Sequence, residues 1–260
     1  MSNLVQPQDL APSYCDGAMR QTSQATFAHN QLLAMLTSEA LQSWAGELES
    51  IDLERGQVLY ESGSQIKHIY FPTTAIVSLM CSTAEGNTSE IAVVGNDGAI
   101  GIATFMGEQA MAHDAIVQSQ GSAFKMKSRS MKEAFTGSIE VQQLMLGYTQ
   151  ALIAQIAETA VSNRHFSIEQ QLSRRLLMEH DRLASDELKM TQELLGNLLG
   201  VRRESVTDAA HKLQRAGLIR YSRGRIIIND RPGLERRCRE FYTSTHRGRS
   251  AAESARRIVI

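Results

Sequence analysis

Five residues within one short stretch have the chemistry to read the edges of nucleic-acid bases: Arg202, Arg203, Glu204, Thr207 and Asp208. An arginine fork matches guanine O6 and N7, and a glutamate accepts from the cytosine amino group. Val206, Ala209, Ala210 and Leu213 recur at helical spacing through the same stretch and claim the inward face. The polar residues are thereby left outside, on the N-terminal half of the helix. That half is the part of a recognition helix that meets bases in the major groove. Base reading is accordingly expected of Arg203, Glu204, Thr207 and Asp208.

Neighbouring elements must hold that helix in place. Thr191 can cap a preceding helix, with Glu193 in its first turn. Leu194, Leu195, Leu198 and Leu199 form its apolar face, Gly200 takes the turn, and Val201 fills the angle between the helices. Gly217 ends the second helix. Leu218–Tyr221 and Arg225–Ile228 then read as strands around Arg223-Gly224, a hairpin pair. Residues 191–230 are thus a helix, a turn, a second helix and a hairpin, the order of a winged helix-turn-helix. On the hairpin, Arg223 and Arg225 are expected to touch phosphates. A helical hairpin with solvated charged faces is the other reading. Against it, residues 189–230 hold 8 Lys and Arg against 4 Asp and Glu.

The chain has 260 residues and a net charge of −1, which conceals a division. Residues 30–136 sum to −6 and 137–188 to −3, whereas 189–230 sum to +4 and 231–260 to +5. An acidic sensor joined to a basic DNA-binding unit has that asymmetry. The 3 cysteines include no CxxC pair, so neither a disulfide framework nor a Cys-rich metal site is indicated. No apolar run approaches a membrane span and the polar N-terminus is no signal peptide, so a cytoplasmic protein without membrane contact is expected.

The texture of the chain predicts the rest of the architecture. Residues 1–28 are a flexible arm. Gln31–Leu36 and Ser38–Leu48 are helical, and short β-prone runs punctuated by Gly follow at 57–60, 66–71, 75–81, 89–94, 115–118 and 123–126. The segment 29–136 therefore reads as a jelly-roll-like β-roll serving as effector or sensor domain. Over 137–166 a long helix carries Val141, Met145, Tyr148, Leu152 and Ile156 on a narrow stripe. Such a stripe suits a homodimer seam, or a helix laid on its own β domain. A winged helix-turn-helix spans 167–242 and a basic flexible tail 243–260. The fold class is α+β.

This order resembles the Crp/Fnr family of bacterial transcription regulators, over roughly residues 30–230. Two segments carry the resemblance: IYFPTTAIVSLM (69–80) with GNTSEIAVVGNDGAIG (86–101), and TQELLGNLLGVRRESVTDAAHKLQRAGLI (191–219). The resemblance implies a sequence-specific regulator that binds double-stranded DNA at two-fold symmetric operators as a homodimer built on the long helix. RNA polymerase is a further partner in that reading. Arg203, Glu204, Ser205 and Val206 match the family's base-reading motif. Asp208 stands where cyclic-AMP-responsive members carry a further arginine. Thr191 matches a phosphate-contacting position and Gln192 replaces an arginine there. Arg202 and Ser205 complete the expected phosphate contacts.

The family's cyclic-nucleotide pocket uses an arginine for the phosphate, amides of a Gly-rich turn, and a glutamate for the ribose. The matching residues are Gly98, Ala99, Gly101, His113 and Asp114. Ala99 then replaces the ribose glutamate, while His113 and Asp114 replace the arginine and its hydroxyl neighbour. No arginine lies between Arg55 and Arg129, so control by cyclic AMP is not expected. An iron–sulfur sensor needs four thiolates. Haem would need an axial ligand such as His68 or His113. No cofactor or metal is assigned, and the β-roll is either a site for another small molecule or an inert scaffold. A sensor acting through protein contact is a competing function, disfavoured by Arg203 and Glu204. An enzyme is not expected, since no catalytic motif appears.

Overall fold

The computed structural model describes residues 27–107, 110–183 and 185–238. The expected arm (save its last two residues), the tail over 243–260 and the last four residues of the expected DNA-binding domain lie outside them.

Among the described residues seven strands build the N-terminal domain: β1 (Glu49–Leu53), β2 (Val58–Tyr60), β3 (His68–Pro72), β4 (Ile76–Ser82), β5 (Thr88–Val94), β6 (Asp114–Ser119) and β7 (Gly121–Lys127). They pair antiparallel in two sheets, ordered β1-β7-β3 and β2-β6-β4-β5. Alternate residues turn inward. Ile69 and Phe71 of β3 meet Val77 and Leu79 of β4 and Ala115 and Val117 of β6 in one core. Helix α1 (Ser38–Trp44), capped by the Thr37 hydroxyl, brings Trp44 onto that core, 6.1 Å from the Phe71 ring. Two short helices follow, α2 (Ala103–Met106) and α3 (Ser128–Gly137).

Helix α4 (Ile139–His165) is 27 residues long and is capped by the Ser138 hydroxyl. Its packing corrects the expected dimer seam. Val141, Met145, Tyr148 and Leu152 are 5% exposed or less, inside the core of their own β-roll, and Ile156 packs against it. Helical periodicity reports that a stripe is buried, not whose surface buries it. On the outward side Ile139, Leu146 and Ile153 recur every seven residues at 68%, 49% and 59% exposure.

The C-terminal domain comprises α5 (Ile168–His180), β8 (Glu187–Lys189), α6 (Gln192–Leu199), α7 (Arg203–Arg215), β9 (Ile219–Ser222), β10 (Arg225–Ile228) and α8 (Arg231–Arg237). The three strands pair in the order β8-β10-β9. Leu172, Leu176, Leu195, Val206, Leu213 and Ile226 form the heart of its core. Met80 of β4 joins that core too. This explains why β4 is buried without alternation from Ile76 to Met80: one face looks into the β-roll, and the other is covered by the C-terminal domain.

Charge holds that cover in place. Arg175 of α5 lies 2.7 Å from Glu90 of β5 and 2.6 Å from Glu179. Ser78 of β4 donates to Glu90, and Ser119 of β6 donates to Glu179 at 2.9 Å. Beyond the helix, Arg182 grips Asp97 with two bonds of 3.1 and 2.6 Å. Buried ions are tolerated only when paired and hydrogen-bonded in this way. Burial pushes the Glu90 carboxyl above the usual range despite Arg175, while Glu90 and Glu179 keep Arg175 charged.

Candidate nucleic-acid interface

Three elements converge around α7. The turn before it is made by Gly200, whose φ of +65° is open to glycine at little cost. At Gly196 a Cβ would come within 3.0 Å of the Val201 carbonyl oxygen, so glycine lets the two helices close up. Helix α7 starts at its N-cap Arg202. Arg202, Arg203, Glu204 and Asp208 are exposed, Ser205 and Thr207 are half-buried, and Val206 is fully buried. The Thr207 hydroxyl donates to the Arg203 carbonyl at 3.0 Å, leaving its oxygen as an acceptor.

Thr191 caps α6 by accepting from the Leu194 N–H at 3.2 Å, which leaves the hydroxyl proton free to donate. Gly224 in the β9–β10 turn lies against it, since a Cβ there would sit 3.4 Å from Thr191 Cγ2. Arg223 and Gly224 both have positive φ, +48° and +75°. That is the pattern of a type I′ hairpin turn, and it holds the Arg223 side chain in solvent. Arg225 is exposed but engaged, 3.1 Å from Glu187 on β8. Tyr221, which sequence reasoning passed over, joins the elements. Burial raises its phenol pKa, while the neighbouring Gln192 backbone and Arg203 guanidinium oppose that shift. Gln192 and Arg203 therefore both lie beside Tyr221 of the wing.

The predicted effector residues sit elsewhere and are closely packed. Gly98 faces Tyr148 of α4, and a Cβ would come within 2.6 Å of the phenol oxygen. The Ala99 side chain is buried, and its carbonyl accepts from Tyr148 at 2.7 Å. Gly101, at φ +96°, lies under the His68 carbonyl oxygen. His113 is 4% exposed, its ring 5.8 Å from Tyr60, and its Nδ1 is buried without a hydrogen-bond partner. Burial lowers its pKa, with Asp114 opposing, so it offers no lasting positive charge near neutrality. Asp114 accepts from the Ser62 N–H at 2.7 Å. The arginine that reaches this loop, Arg182, is committed to Asp97. Among the described residues no group of three or more His, Cys, Asp or Glu side chains is placed to hold a metal ion, and no helix is long and apolar enough to cross a membrane.

Two family models match the chain: the cyclic nucleotide-binding domain over residues 50–138 and the Crp-like helix-turn-helix domain over 170–237. No curated protein matches it. Among solved structures, a Crp/Fnr-family protein from Eubacterium rectale is similar at a TM-score of 0.65 and 17% identity, covering 82% of this chain and 100% of its own. FixK2 from Bradyrhizobium japonicum matches at 0.64 and 16%, covering 73% and 96%. The c-di-GMP-responsive global regulator CLP of Xanthomonas campestris matches at 0.60 and 11%, covering 74% and 99%. At such identities the structural likeness is one of fold. Together with a cyclic nucleotide-binding domain followed by a Crp-like helix-turn-helix, that α+β fold makes the chain a member of the Crp/Fnr family of transcription regulators.

Proposed function

We propose that the protein binds a two-fold symmetric DNA operator as a homodimer, and that cyclic AMP does not control it. The observation that carries the reading is the exposed Arg203, Glu204 and Asp208 at the start of α7, flanked by Thr191, Gln192, Arg202, Ser205, Arg223 and Arg225 as phosphate contacts. Arg203 reads a guanine and Glu204 its paired cytosine, while the flanking groups fix the register.

The dimer follows from the outward side of α4. Ile139, Leu146 and Ile153 are exposed at heptad spacing on a helix that is about 40 Å long at 1.5 Å per residue. Pairing two such helices buries those side chains, and a symmetric pair is what an operator with half-sites about 34 Å apart requires. Freedom from cyclic AMP is supported by Ala99, by the uncharged His113, and by Tyr148 lying on Gly98. The output is regulatory and not catalytic, exerted in the cytoplasm with RNA polymerase as the partner addressed.

Selection from random duplex DNA, followed by sequencing, tests the reading. A palindromic motif with a G·C pair in each half-site is expected, bound equally with and without cyclic AMP. Enrichment of no motif, or of one asymmetric site, overturns it.

A further inference from the structure

All five Lys and Arg residues between Arg55 and Gly137 sit at one end of the β3–β7 pair: Lys67, Lys125, Lys127, Arg129 and Lys132. Lys67 directly precedes β3, and its carbonyl accepts from the Ser128 N–H at 2.9 Å, where β7 passes into α3. Lys125 is spent on Glu49, 2.9 Å away. The other four line a single cavity of about 450 Å³, together with Gln65 and Thr104. Arg129 keeps a solvent-exposed bond of 2.8 Å to Glu133. Lys67, Lys127 and Lys132 form no ion pair among the described residues.

The segment 30–136 carries a net charge of −6, yet its three lysines without an ion pair gather in one place instead of dispersing among the carboxylates, and Arg55 alone of its cations stands apart. Two further features favour an anion there. Helix α3 starts at the cavity; its Ser128 N–H is taken by the Lys67 carbonyl, but no side chain caps it and no acidic residue stands in its first turn to answer its positive dipole end. The Thr104 hydroxyl oxygen is buried without a hydrogen-bond partner. The volume lies in the range of small-molecule sites. None of Gly98, Ala99, Gly101, His113 or Asp114 lines it.

We propose that this cavity is a second ligand site of the β-roll, separate from the cyclic-nucleotide position, and that it takes a small molecule bearing two or more phosphate groups. Three unpaired ammonium groups exceed what one phosphate balances. The amide of Gln65 and the hydroxyl of Thr104 supply neutral contacts for the rest of such a ligand.

The test is calorimetric titration of the full chain with inorganic pyrophosphate, with ATP and with inorganic phosphate. Pyrophosphate and ATP should bind at micromolar concentrations and phosphate far more weakly. The double variant Lys67→Gln with Lys132→Gln changes two exposed side chains, so its thermal melt should match the wild type. Its affinity for pyrophosphate and ATP should fall by about tenfold or more. Arg55→Gln removes a charge elsewhere on the β-roll and should change nothing. Equal binding by the double variant, equal loss in Arg55→Gln, or no binding below millimolar concentrations overturns the proposal. So does a double variant that loses affinity only for random duplex DNA, since the patch would then be a DNA contact.

Discussion

The Tyr148 hydroxyl donates a 2.7 Å hydrogen bond to the Ala99 carbonyl, so the long helix is fastened to the loop where a cyclic nucleotide would bind. Two residues before Ala99, Asp97 is held by Arg182 from beyond α5. One short loop is thus tied at once to α4 and to the DNA-binding domain. A ligand entering beside Gly98 would have to move the Tyr148 ring first.

Tyr148→Phe should therefore destabilise the protein by about 1–2 kcal/mol, because the buried Ala99 carbonyl loses its donor. Gly98→Ala should do more damage, since its Cβ meets the ring as well as the hydroxyl and Tyr148→Phe removes only the latter. Urea unfolding of the two single variants and the double variant measures both effects. If the double variant is no less stable than Tyr148→Phe alone, the ring does not fill the site.

The two faces of α4 make opposite predictions. Leu152→Glu places a carboxylate in the core of its own β-roll and should cost several kcal/mol of folding stability, whatever the oligomeric state. Leu146→Glu with Ile153→Glu changes residues that are 49% and 59% exposed in the single chain. That variant should stay folded but sediment as a monomer with weakened operator binding. A dimeric Leu146→Glu, Ile153→Glu variant would move the interface off this helix face.

The DNA-binding unit was legible because its signals are local. The cap at Thr191, the turn at Gly200, the Arg223-Gly224 hairpin and the inward Val206, Ala209, Ala210 and Leu213 each lie within a few residues of what they organise. Strand β1 escaped because it is short and offers only Ile51 and Leu53 as inward apolar residues among Glu49, Ser50 and Asp52, and α3 because Met131 alone is buried on it. The α4 stripe was visible as a stripe, but its partner surface lies in strands far along the chain. Nor does anything in the sequence mark Arg175 as the partner of Glu90, 85 residues away. Pairings of that kind depend on how the sheet and the helix meet, which has no local signature.

Arg203→Ala and Glu204→Ala should each weaken binding to the selected operator by about 1–3 kcal/mol and relax preference at one symmetric base pair. Arg223→Ala should weaken binding to operator and random DNA alike, and lower the salt dependence by about one counterion. Arg225 is already held by Glu187, so Arg225→Ala should have the smaller effect of the two. Gel shifts across a salt series separate these outcomes. An Arg203→Ala variant with unchanged base preference would displace the assigned reading helix.

The buried imidazole of His113 makes stability depend on pH. Burial holds its folded pKa below the ordinary 6.5, with Asp114 pulling the other way, and its Nδ1 has no hydrogen-bond partner. The unfolded chain thus takes up the proton more readily. The stability contributed by the neutral ring is fully present above 6.5 and is lost as the pH falls toward the folded value. The slope is at most about 1.4 kcal/mol per pH unit for one proton. His68 is depressed as well, by partial burial and the adjacent lysines, and contributes with the same sign. The difference between wild type and His113→Gln isolates His113. Urea unfolding at about pH 7.5 and about pH 5.5 should show the wild type losing more stability than the variant over that interval. Equal losses would mean that the His113 ring finds a proton-accepting partner or solvent in the folded state.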